Sequence, residues 1–99
     1  MVAHGPPPPA TLSVMLRLPE VDQGSKVPKH RQVADALIGQ VRAGHIAPGD
    51  RLPAVRDIMA MTGVAQATAI KALQFVASAG YGELVRGMGY YVPDRLPPA

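Results

Sequence analysis

The chain has 99 residues, no cysteine and a net charge of +3, from ten Lys and Arg against seven Asp and Glu. Such a length holds one domain at most, the missing thiols exclude a disulfide framework and thiolate metal sites, and no apolar run reaches the ~18 residues that cross a bilayer. The charge suits a polyanion partner but is far below a histone-like density. The N-terminal MVAHGPPPPA lacks the basic and apolar regions of a signal peptide, so the expected home is a reducing cytoplasm.

The four consecutive prolines within residues 1–10 predict a disordered tail of polyproline II character. In TLSVMLRL, Leu12, Val14, Leu16 and Leu18 alternate with Thr11, Ser13, Met15 and Arg17, a period of two that predicts a short strand. A Pro- and Gly-containing stretch of mixed charge then makes residues 19–27 a linker.

From Lys29 the period becomes helical: Val33, Leu37, Ile38 and Val41 share one face and leave Arg31, Asp35, Gln40 and Arg42 to water. Pro28 suits a first turn and Gly44 the left-handed position past an end, so a first helix is predicted over 28–43. After a turn at Pro48 and Gly49, Pro53 opens a second helix over 54–61, with Ile58 and Met59 inward and Gly63 as its stop. A third helix is predicted over 65–79, with Ala69, Ala72, Leu73 and Val76 on its inner stripe and Gly80 ending it. In YGELVRGMGYYVP, two strands at 83–86 and 90–92 flank a tip of Gly87, Met88 and Gly89. The fold expected is mainly α with a small β-hairpin, a winged helix-turn-helix across 28–93, followed by a disordered tail at 94–99.

The stretch from Val27 to Val92 resembles the N-terminal DNA-binding domain of GntR-family transcriptional regulators. RQVADALIGQVRAGHIAPGDRLPAVRDI is similar to that family's first helix, Pro-Gly-Asp turn and Leu-Pro-x-x-Arg opening of the second helix. GVAQATAIKAL resembles its recognition segment, and GMGYYV its wing. The resemblance implies double-stranded DNA as the partner, with the third helix in the major groove and the wing, residues 86–90, on the minor groove or backbone. Family members usually carry a C-terminal effector and oligomerisation domain; no such small-molecule domain is expected in this chain.

Carried over position by position, the resemblance nominates Arg56, Gln66, Ala67, Thr68, Lys71, Arg86, Gly87, Met88 and Gly89 for DNA binding. Arg56 has paired donors for guanine O6 and N7 or for phosphate, unless Asp57 or Asp50 holds it. Thr68 offers a hydroxyl, unless it bonds back to its own helix, and Lys71 a phosphate contact. Arg86 supplies the wing's main charge, and Gly87 and Gly89 satisfy its turn or permit close approach to the sugar-phosphate chain. Lys26, Lys29, His30 and Arg31 cluster at the start of the first helix, either as phosphate contacts or as a solvated group.

Five positions depart from the family pattern. Ala54 and Ala65 replace capping residues, Gln66 replaces Arg, Ile70 a polar residue, and Met88 a frequently basic wing tip. If positions 65, 66, 70 and 88 each forgo a contact of ~1 kcal/mol, the loss is about a thousandfold in affinity, which dimerisation on a palindrome restores in part.

Ala67, Ile70 and Gln74 then form an outward stripe beside Lys71, suited to thymine methyls and adenine edges. Two other accounts stand beside it: Ile70, Phe75 and Met88 are covered by another protein, or Phe75 and Tyr81 stack at the core's edge. The first makes the chain a homodimeric transcriptional regulator, with the strand across 12–18 as a candidate dimer element. The second makes it an interaction module, such as an accessory subunit of a regulatory or recombination complex. His4, His30 and His45 lack close metal-ligand spacing, the serines lie in no nucleophile elbow, and GMG has no phosphate-loop context. Neither an enzyme nor a cofactor is expected.

Overall fold

A computed structural model describes residues 18–98. The proline tail and the strand expected across 11–18 therefore lie outside the described residues, apart from Leu18, which is buried in the core. Three helices, α1 (Lys29–Arg42), α2 (Val55–Thr62) and α3 (Gln66–Ser78), precede an antiparallel hairpin of β1 (Glu83–Val85) and β2 (Gly89–Tyr91). This is the winged helix-turn-helix that the periodicities predict. Among the described residues no helix is long and apolar enough to cross a membrane.

The helix ends follow from local chemistry. Pro28 and Ala43 are the caps of α1 and Ala65 and Ala79 those of α3, so the expected spans were one residue too long at each end. Pro53 does not open α2: it lies before the N-cap Ala54, fully buried. A β-carbon is no obstacle to extended backbone, but the residue that ends α2 must turn left-handed, and there Gly63 sits at a φ of +79°. Its N–H donates to the Met59 carbonyl at 2.9 Å. Thr62, buried beside it, donates its hydroxyl to the Ile58 carbonyl at 2.7 Å and receives the Val64 N–H at 3.5 Å. These bonds set the tight turn that leads from α2 into α3.

The core joins Val33, Ala34, Leu37 and Val41 of α1 to Ile58 of α2 and to Ala69, Ala72, Leu73 and Val76 of α3. α3 packs on both other helices. Small side chains at 34, 69 and 72, all completely buried, let the helix backbones approach closely. Ile46, Leu52, Val64, Tyr81 and Val92 close the remaining sides.

The linker is tied down in part by the amide of Gln32. Gln32 on α1 accepts the Asp22 N–H through Oε1 at 2.7 Å, and its Nε2 donates to the carbonyls of Asp22 at 3.1 Å and Val27 at 3.0 Å. The segment after Pro93, expected as a disordered tail, instead lies against the domain as far as it is described. Leu96 packs on the core, and a β-carbon on Gly80 would stand 2.8 Å from Pro97 Cγ. An apolar Leu with a core to reach outweighs the turn-forming prolines around it.

The hairpin is shifted from its expected strands. Val85 pairs with Gly89, so Arg86 belongs to the turn and Gly89 to β2, while Val92 lies beyond the strand. The Met88 N–H donates to the Val85 carbonyl at 2.9 Å and Gly87 has a φ of +75°. Positive φ in the third position of the turn is the type II geometry, which glycine meets at no steric cost, and this draws the turn back onto Arg86 and Gly87.

Ala65 and Ala54 hold extended N-cap geometry, with ψ of 162° and 163°, and neither offers a side-chain acceptor to the first turn of its helix. Ala65→Ser should therefore stabilise the domain by about 1 kcal/mol, raising the thermal midpoint by ~4–8 °C. Calorimetry checks this; an unchanged midpoint would mean that the start of α3 does not limit stability.

Candidate nucleic-acid interface

The inner stripe of α3 is consumed by the core, which leaves its opposite side to water. Ala67, Ile70, Lys71 and Gln74 are exposed along that side, with Ile70 at 37%. Their spacing of three and four residues makes one continuous stripe. Gln66, the first helical residue, is exposed beside them. Thr68 is half-buried, and among the described residues its hydroxyl bonds to no carbonyl of its own helix, whereas Ser78 donates to Phe75 at 2.9 Å.

Arg56 projects from the first turn of α2 and is exposed. Neither acidic neighbour holds it: the one ion pair among the described residues joins Arg31 to Asp35 at 3.6 Å. The Asp50 carboxylate accepts the Ala47 N–H at 2.9 Å, closing the Pro-Gly turn. Arg56 thus presents its donors to solvent.

In the wing, Arg86, Gly87 and Met88 are exposed, Met88 at 55%, and Gly89 is half-buried. Beyond β2 runs a further extended segment: Arg51 and Leu52, whose extended form the following Pro53 predicts, also pair with the wing, which the sequence pattern did not single out. The Val92 N–H donates to the Asp50 carbonyl, and the Leu52 N–H to that of Tyr90, each at 2.8 Å, with Arg51 bridged to Tyr91. The stretch from 49 to 52 therefore forms a third edge of the wing and joins it to the entry of α2. Two isolated residues before a Pro carry no strand periodicity, so only the long-range pairing reveals this edge.

Phe75 departs from both readings that used it. It is half-buried, neither stacked on Tyr81 nor part of an open apolar patch. The Arg31 guanidinium lies 4.5 Å over its ring, and His30 meets it edge-on with centroids 6.5 Å apart. A cation over an aromatic face is attracted by the ring quadrupole, so this contact fastens the start of α1 to α3. It also engages two of the four basic residues expected to cluster at the start of α1, leaving Lys26 and Lys29 exposed. The apolar exposure that remains is at Ile70, Met88, Val27 and Leu84, the last of these, at 59%, unmarked by the sequence pattern.

Comparison with known proteins bears on this arrangement. The family model described as bacterial regulatory proteins of the gntR family matches residues 29–92. The chain is 41% identical over 67 residues, 68% of its length, to an uncharacterized HTH-type transcriptional regulator, YdcR of Escherichia coli K12, and spans 14% of that protein. YtrA of Sulfolobus acidocaldarius, a GntR-family transcription factor, superposes with a TM-score of 0.71 at 32% identity, over 80% of this chain and 83% of that one. The DNA-binding domain of AraR, solved in complex with operator ORX1, superposes with a TM-score of 0.71 at 28% identity, covering 78% of this chain and 98% of that domain. With the three helices, the hairpin and the matched stretch in agreement, this chain belongs to the GntR family of bacterial regulatory proteins.

Proposed function

We propose that the chain binds double-stranded DNA sequence-specifically as a homodimeric transcriptional regulator, with α3 in the major groove and the wing, residues 86–90, against the minor groove or backbone. The observation that carries this is the exposed stripe of α3 set on a fully packed inner face, together with an exposed Arg56 that forms no ion pair among the described residues. AraR, of the same fold, is solved on its operator. The residues assigned to contact are Arg56, Gln66, Ala67, Thr68, Lys71, Arg86, Gly87, Met88 and Gly89, and no catalytic step is assigned.

The stripe's chemistry specifies the site. Ala67 and Ile70 have apolar groups for thymine methyls, and Gln66 and Gln74 pair a donor and an acceptor for adenine N6 and N7. Arg56 matches guanine O6 and N7 or a phosphate. A half-site with A·T pairs under α3 and a G·C pair near the start of α2 follows. Lys71 and Arg86 take phosphates, which position without specifying sequence.

The exposure of Leu84 and Met88 on the wing favours a second reading, a surface that meets another protein. Ile70→Arg separates the two. It adds a cation to the DNA-facing stripe, so it should strengthen duplex binding by several-fold, and it would abolish association if Ile70 were part of a protein contact.

On duplexes selected from a random pool, affinity should fall steeply with salt, its slope corresponding to a few phosphates per monomer; no binding at low salt would remove the proposal. Arg56→Ala should cost about 1–3 kcal/mol on the selected duplex and much less on a scrambled one, measured by fluorescence anisotropy. A palindrome should bind two chains cooperatively and an isolated half-site one, as sedimentation would report.

A further inference from the structure

The wing has a second cation that comes from outside the hairpin. Leu52 is buried and Arg51 is exposed, so along the extended 49–52 edge the Arg51 side chain leaves on the outer face. Arg51 is bridged to Tyr91, and Gly89, two residues earlier on β2, lies on the same face as its diagonal neighbour. The guanidinium reaches across to it. A β-carbon on Gly89 would stand 3.3 Å from both Nε and Nη2 of Arg51 and 3.7 Å from Cζ. The bare glycine is thus a seat for the guanidinium on the wing's surface.

Three carboxylates bear on its charge. Glu83 shares the outer face but lies on the far side of Tyr91 from Arg51, the Asp50 carboxylate is turned to the Ala47 N–H, and Asp57 is half-buried on α2. None pairs with Arg51, since the one ion pair among the described residues is between Arg31 and Asp35. A planar, permanently charged fork, packed in place and without an acidic partner, suits the paired oxygens of a phosphate. The wing tip itself ends in the uncharged Met88.

We propose that Arg51 grips a DNA phosphate beside the wing, acting together with Arg86 as the wing's charge. This rests on the DNA-binding function proposed above. The contact is to the backbone, so it contributes to affinity on any sequence and carries no base preference.

The test compares wild type, Arg51→Gln, Arg51→Lys and Arg56→Ala on selected and scrambled duplexes across a salt series. Arg51→Gln should weaken binding about threefold to tenfold on both duplexes and reduce the slope of log K against log salt by about 0.9. Arg51→Lys should retain that slope while losing part of the affinity, because charge survives and the fork does not. If Arg51→Gln leaves affinity and slope at wild-type values while Arg56→Ala weakens binding, Arg51 touches no phosphate and the DNA-binding function stands without it. A loss confined to the selected duplex would overturn the phosphate assignment in favour of a base contact. Failure of wild type to bind either duplex would remove the underlying function, a result distinct from both.

Discussion

The close seating of α3 on α1 is the constraint on which the rest depends. Three alanines, at 34, 69 and 72, are completely buried at or near that seam, with Leu37, Leu73 and Val76 filling the space around them. Larger residues at the alanine positions would push the helices apart at a cost of ~1–3 kcal/mol each. What makes α3 look bare in sequence is therefore two separate things: alanine inside, where closeness is needed, and alanine, isoleucine and amide outside, where Lys71 is the helix's one cation. Arg31 and His30 on Phe75 add a clamp at the edge of the same seam.

The wing is held by a different kind of force. Backbone hydrogen bonds from the 49–52 edge fasten β2 to the segment that enters α2, so the wing is tied to the entry of that helix. Arg51 and Arg56 stand five residues apart, one over the wing and one from the helix. A minimal hairpin of two three-residue strands is marginal by itself; the third edge supplies the pairing that keeps it in place.

Much of this was legible from residue order. The helical stripes at Val33, Leu37 and Val41 and at Ala69, Ala72, Leu73 and Val76 are periodic signals, and each of these residues is buried. The stops at Gly63 and Gly80 were equally plain, since positive φ is a local demand that glycine alone meets cheaply. The exposed stripe on α3 followed as the complement of the buried one. Less legible were the strand ends, where the turn geometry at Gly87 moved Arg86 out of β1 and brought Gly89 into β2.

Residue order by itself determined the number and kind of elements and the faces they bury, because each of these is written in spacing over a few turns of chain; the family was legible in a different way, through the resemblance of its motifs. Tertiary structure alone decided that Phe75 lies under Arg31, that Gln32 ties down the linker, that Leu96 returns to the core and that Arg51 rests on Gly89. Each of those contacts joins residues of different elements or loops, most of them far apart in the chain. Periodicity reports which way a side chain faces; it holds no record of what arrives from elsewhere to meet it.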